Sequence, residues 1–363
     1  MNKMSTKHLI FFIIAVSIIA LRSYSSIFIN YGGRDSGLIS IIACIFIGIY
    51  FTILMSICEK TNCYNFLDMI KRSFSKPIAN IIILIFSIGL FLASIEASSV
   101  EASSIHTNFF LSTPTWYCLL FFIIPGAYVL NKNFSSLVIT VIISVSLVLI
   151  GDIILFALLA KYLDFDYLLP ILKDGFTQNK WICLLQIICS LSSISIVLPH
   201  LCQLDSKKYL KRYSIFAIIT CGILILASFV SIITFFGPER ASNIFYPEYV
   251  ASQRVQIASF LEFGEIFYIY RIVIMWFLKY ILASSGILLL YKDKIHNKTI
   301  FIILYSTIIF VASYILTESQ YYLFNTLEII QWVLGFIFII IPAICFTIHN
   351  IKSKKNINKI NWF

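Results

Sequence analysis

The sequence predicts an all-α polytopic membrane protein: one domain of ten transmembrane helices, arranged as two inverted repeats of five, with helices 1 and 6 broken. Three observations predict it. The chain of 363 residues is 60% hydrophobic and only 12% charged, with a mean hydropathy of +0.94, whereas soluble domains carry about a quarter charged residues. The apolar residues are gathered into ten segments, most near the about 20 residues that cross about 30 Å of hydrocarbon. Basic residues collect on alternate connections, as they do when those connections stay on the cytosolic side.

The spans read as 8–29, 37–57, 78–100, 114–130, 136–160, 181–203, 212–236, 265–291, 299–317 and 329–349. Backbone groups in lipid need internal partners, so each is expected to be helical. The first run lacks a small-residue cleavage site and is about as long as a full span, so it reads as a helix and not a signal peptide. Pro77 opens the third span and Pro114 the fourth. Long connections at 161–180 and 237–264 are expected to hold short interfacial helices, and 58–77 is basic. The first repeat covers about 8–160 and the second about 181–349, followed by a basic tail at 350–363 that ends in Trp362 and Phe363 and reads as an anchor at the anionic inner leaflet.

Charge fixes the orientation. With the N-terminus inside, the inside segments hold Lys3, Lys7, Lys60, Lys71, Arg72, Lys76, Lys132, Lys207, Lys208, Lys211, Arg212, Lys292, Lys294, Lys298, Lys352, Lys354, Lys355 and Lys359, which is 18 of 27 basic residues. Six lie outside (Arg34, Lys161, Lys173, Lys180, Arg240 and Arg254) and three in spans. Both termini are therefore expected in the cytosol. The net charge of +10 is accounted for by this asymmetry and does not point to nucleic acid.

Five plus five helices in inverted topology place a binding site where matching helices break. The first span is interrupted by Leu21-Arg22-Ser23-Tyr24-Ser25-Ser26 and the sixth by Ser190-Leu191-Ser192-Ser193-Ile194-Ser195. Candidate ligand-binding residues are thus Arg22, Ser23, Tyr24, Ser25, Ser190, Ser192, Ser193 and Ile194. Intramembrane charges are costly and point to function or to ion pairs. Arg22, Glu96, Asp152 and Arg271 are expected at outer or middle depth, as a polar cavity for a zwitterion or as a mutually neutralising network. Glu265 is expected at the interface, and Lys279 to snorkel inward. The tandem Glu96-Ala97-Ser98-Ser99 and Glu101-Ala102-Ser103-Ser104 reads as a small-residue stripe for close helix packing.

The nine cysteines show no metal spacing, and their odd number argues against a disulfide framework. The five histidines do not pair at helical spacing, and no phosphate-loop, zinc-protease or serine-hydrolase motif occurs. Nothing in the sequence argues for an enzyme, a metal or a cofactor.

Four local patterns resemble one family. Gly32-Gly33-Arg34-Asp35 resembles the "AGRDAW" stretch of spore germination proteins, the B subunits of nutrient germinant receptors. Leu111-Ser112-Thr113-Pro114-Thr115-Trp116 looks like their "P-x-TP-x-W", and Leu169-Pro170-Ile171-Leu172-Lys173-Asp174-Gly175 like their "L-P-V-L-x-x-G". Tyr246-Pro247 followed by Phe260-Leu261-Glu262-Phe263-Gly264-Glu265 resembles "YP … F-x-E-R-x-E". The chain departs from the pattern at Phe263, where the family has Arg, at Gly37, where it often has Trp, and across Ser190 to Val197, which lacks the Glu many members carry. The family is similar to amino acid–polyamine–cation permeases. The resemblance implies a membrane subunit sensing a small nutrient, often an amino acid, together with an A subunit and a lipoprotein C subunit in the inner spore membrane. An amino-acid/cation symporter with Glu96 or Asp152 as its ion site, and a scaffold for partners, are the alternatives.

Overall fold

The computed structural model describes residues 4–173, 175–257, 261–262 and 264–360, and side chains are described to 354 outside 256–263. Eight helices are long and apolar enough to cross a membrane, and His8–Ser17 and Thr115–Asn131 are shorter apolar helices. All ten expected segments are helical. Span 1 runs as His8–Ser17, Ile19–Ser23 and Ser25–Gly32. Spans 2 to 5 are Ser36–Thr61, Lys76–Asn108, Thr115–Asn131 and Phe134–Leu159. Span 6 is Gln178–Leu191, continued as a 3₁₀ helix over Ser192–Gln203. Spans 7 to 9 are Leu210–Phe236, Gly264–Leu290 and Lys298–Leu316. Span 10 is Gln320–Gly335, a π-helical turn at Phe336–Ile340, and Ile341–Ile360.

The helices pack as the inverted repeat requires. The two largest interfaces join span 3 to span 8 and span 2 to span 7; span 4 packs on span 9 and span 1 on span 6. Each pair lies five helices apart. The outer surface is apolar, with Ile45, Phe46 and Ile49 of span 2 and Ile300, Ile303 and Leu304 of span 9 exposed. The charged residues within spans, Arg22, Asp152, Arg271, Glu96 and Lys279, sit inside, where they find partners, as a lipid solvent demands.

Contacts between connections sort into two faces. On one, the Met4 N–H donates to the Gln203 carbonyl (2.9 Å), the Lys211 N–H to Glu59 (3.1 Å), Lys298 to the Asn131 carbonyl (3.3 Å) and Lys352 to the Ser73 carbonyl (2.7 Å). On the other, the Asp164 N–H donates to the Thr234 carbonyl (2.9 Å) and Tyr249 to the Asn108 carbonyl (2.7 Å). There, too, Lys180 pairs with Asp35 (2.7 Å), which also accepts from the Leu172 N–H (2.9 Å), and Arg34 donates to the Leu169 carbonyl. Gly33 turns the chain at φ +54°, a conformation open to glycine, so that Arg34 and Asp35 face the 169–172 segment. Two of the family-like patterns are therefore one clasp.

The 237–264 connection departs from the sequence reading. It holds two short helices, Pro238–Ser242 and Pro247–Ser252, but the second is no surface element: Glu248 and Ser252 are buried. The 161–180 connection forms 3₁₀ turns at Ala160–Tyr162 and Phe165–Leu168. The tail is helical to Ile360 and Lys352 docks on the chain itself. Asp174, Phe260, Phe263, Trp362 and Phe363 lie outside the described residues.

Candidate functional site

Span 1 breaks at Tyr24, whose φ of −119° and ψ of 47° leave the helical region. A second break falls at Ile18. Span 6 does not unwind at its serines; it tightens into a 12-residue 3₁₀ helix beginning at Ser192, well beyond the 3–4 residues usual for that geometry. The Ser192 hydroxyl donates to the Cys189 carbonyl (2.6 Å) and the Leu334 carbonyl (3.4 Å), and Ser195 to the Phe338 carbonyl (2.6 Å). Ser193 and Ile194 are buried. The hydroxyls of Ser25 and Ser190 are buried and have no hydrogen-bond partner among the described residues.

The structure divides the expected charges into two clusters. In the first, Arg22 donates to both Asp152 oxygens (2.5 and 3.0 Å) and to Glu248 (3.4 Å). Arg271 bonds Asp152 (3.0 Å) and Glu248, and Ser228 donates to Glu248. Two guanidinium groups and two carboxylates thus balance, all at most 8% exposed. A cavity of about 390 Å³ between spans 5 and 7 ends on these four residues. In the second, Glu96 and Lys279 are both fully buried and pair at 2.8 Å. Tyr24 donates to Glu96 (2.6 Å), and Gln331 donates to Tyr24 (2.5 Å) and to Glu96 (3.1 Å). Lys279 lies over the Trp276 ring, whose Nε1 donates to Ser23 (3.0 Å).

Two expectations need correction. Glu96 does not join Arg22, Asp152 and Arg271. Lys279 does not snorkel, because a buried carboxylate stands within its reach. Glu265 accepts from Tyr249 (3.3 Å) and Gln253 (2.9 Å). The serine stripe of span 3 contacts neighbouring helices: Ser98 meets Ser313 (2.7 Å) and Ser104 meets Tyr268 (3.1 Å).

Sequence reasoning missed Glu248, Gln331 and Lys279's role. A signal for Glu248 was present. Three basic residues within spans against Glu96 and Asp152 left one cation over, and Pro247-Glu248 is a helix-start pattern. Also missed is His200, fully buried and bonded to Ser285 (2.8 Å). Glu101 is buried and its Oε2 has no hydrogen-bond partner among the described residues. Among the described residues, no group of three or more His, Cys, Asp or Glu could hold a metal ion.

The family described as "Spore germination protein" matches residues 3–322. The chain belongs to the spore germination protein family. Comparison with curated proteins returned no match. Among solved structures, the fold resembles MhsT in complex with L-phenylalanine, with a TM-score of 0.65 at 12% identity, over 95% of this chain and 88% of that one. It also resembles a substrate-bound, outward-open Na⁺-coupled sialic acid symporter, with a TM-score of 0.64 at 10% identity, over 93% of this chain and 80% of that one. At such identities the likeness concerns the fold: this member of the family is a polytopic, permease-like integral membrane protein.

Proposed function

We propose that the chain is the membrane subunit of a spore nutrient-germinant receptor. It binds a small nutrient of amino-acid type at the breaks of spans 1 and 6, acts with an A subunit and a lipoprotein C subunit in the inner spore membrane, and performs no catalysis. The observation that carries this reading is the pair of irregularities at Tyr24 and Ser192, five helices apart and flanked by the unpartnered hydroxyls of Ser25 and Ser190. Buried polar atoms without partners are rare and call for an explanation. A nutrient's amine or carboxylate would supply the missing bonds. Arg22, two residues before the break, would be the switch: a ligand carboxylate competing for its bidentate face weakens the hold on Asp152 and Glu248. A ligand that favours the released arrangement over the locked one shifts the population between them.

The test is germinant dose–response in spores carrying Ser25→Leu or Ser190→Leu, with membrane levels of all three subunits measured alongside. Loss of sensitivity at normal abundance is expected, as it is for Leu at Ser193. Wild-type sensitivity at wild-type abundance would remove the site from between spans 1 and 6. Uptake of labelled amino acid into vesicles by the chain alone would establish the symporter reading instead.

A further inference from the structure

Where the 132–133 connection meets the 291–298 connection, a cleft of about 320 Å³ opens between the ends of spans 4, 5, 8 and 9. Its rim carries Lys132, Lys292 and Lys298, and its walls include Phe134, Leu288 and Leu289. We propose that this cleft holds an anionic glycerophospholipid, with the phosphate among the three ammonium groups and the upper acyl chain on the apolar wall.

Three features argue for that occupant. The charges converge without neutralisation: among the described residues, no ion pair involves any of the three lysines. Their positions are partly fixed. Lys298 donates to the Asn131 and Lys132 carbonyls (3.3 and 3.2 Å), and Lys132 lies 4.6 Å from the Tyr128 ring centroid. The cleft also sits at helix ends, where apolar surface turns basic and lipid headgroups lie; Tyr128 and Ile300, next to or near its lining residues Val129 and Lys298 in the chain, are exposed. A phosphate with a hydrocarbon tail matches a cationic rim on an apolar wall. A free anion would leave the wall uncovered, and a zwitterionic headgroup would bring a fourth cation to the rim. Basic recesses between transmembrane helices are suited to such headgroups. The proposal does not depend on the nutrient-binding reading.

The experiment uses the full chain in detergent micelles. Thermal unfolding is followed while phosphatidylglycerol, phosphatidylcholine or inorganic phosphate is added. A lipid that binds the native state raises the midpoint in a saturable way. Phosphatidylglycerol alone is expected to do so. Each lysine near an anionic surface contributes a factor of about five in affinity, so Lys132→Gln with Lys292→Gln should weaken half-saturation about 30-fold. Both side chains are exposed, so folding does not depend on them. The Lys→Arg pair should bind as wild type. Lys207→Gln with Lys208→Gln, on the same face, should also leave binding unchanged. Equal stabilisation by phosphatidylcholine, stabilisation by phosphate alone, or an unchanged titration in the Lys132/Lys292 double variant would each overturn the proposal.

Discussion

Arg22 shows how strongly one buried charge depends on its partners. The residue is 6% exposed, and its guanidinium spans Asp152 and Glu248, which Arg271 also holds. Removing one member leaves an excess carboxylate in a nonpolar bundle, so Arg22→Leu should lower stability by about 3–5 kcal/mol. Arg22→Leu with Glu248→Gln restores one cation against one anion, Arg271 on Asp152, and should recover much of that loss. Thermal unfolding of the purified variants decides it; equal loss in the single and double variants would mean that packing, not charge, sets the cost. The same reasoning separates two neighbouring glutamates. Glu96 neutralises Lys279, so Glu96→Gln orphans a fully buried ammonium and should be strongly destabilising. Among the described residues Glu101 has no salt-bridge partner, and its Oε2 accepts no hydrogen bond, so Glu101→Gln should leave the midpoint unchanged or raise it. Arg22, Asp152 and Arg271 were legible in the sequence because a charge in an apolar run is conspicuous. Glu248 was signalled only by the one cation left over, because its segment carries ordinary loop residues and only the fold turns it inward.

At the scale of elements, the irregular turns of spans 6 and 10 sustain each other. The π turn at Phe336–Ile340 frees carbonyls from the helical ladder. Ser195 donates to that of Phe338 and Tyr50 to that of Ile339 (2.9 Å). Serines in the 190–195 stretch were legible as a polar interruption, but their partner was not, since nothing in the run Gly335-Phe336-Ile337-Phe338-Ile339-Ile340 marks an altered hydrogen-bond register. Just before that turn the two helices nearly touch. A Cβ added at Gly335 would stand 2.3 Å from the Cys189 sulfur, 2.6 Å from its Cβ and 2.9 Å from its Cα. Gly335→Ala should therefore lower stability by about 1–3 kcal/mol, the usual cost of overpacking. Adding Cys189→Ala should not rescue it, because the backbone and Cβ contacts remain. Rescue by that second change would show the helices free to separate, and with them the paired irregular turns.

For the molecule as a whole, the fold constrains topology more tightly than hydropathy does. Hydrogen bonds between connections join 4 to 203, 59 to 211, 73 to 352 and 131 to 298 on one face, and 34 to 169, 35 to 180 and 108 to 249 on the other. No bond in this set joins connections of opposite parity, so both described chain ends share a face and the number of crossings is even. Which face is cytosolic is an expectation from charge: the sequence assigns 18 of the 27 basic residues to the side of the N-terminus and 6 to the other, and cytosolic connections are the basic ones. Span identity was legible because about 20 apolar residues have few alternatives; the sorting of connections into two faces was legible because successive spans reverse direction. Cys202 now provides a direct test. It is the exposed one among the nine free cysteines, at the end of span 6 beside Gln203, whose carbonyl accepts from the Met4 N–H. In intact cells expressing the chain, a membrane-impermeant maleimide should leave Cys202 unlabelled and should label it once the membrane is permeabilised. Tags at the N-terminus, at Asn131–Asn133 and at the C-terminus should behave like Cys202, whereas tags at Thr177 and Ala241 should be accessible from outside. Labelling of Cys202 in intact cells together with external access at Asn131–Asn133 would invert the orientation and leave the fold intact. Opposite accessibility of Cys202 and the N-terminus would break the shared face, and the ten-crossing bundle with it.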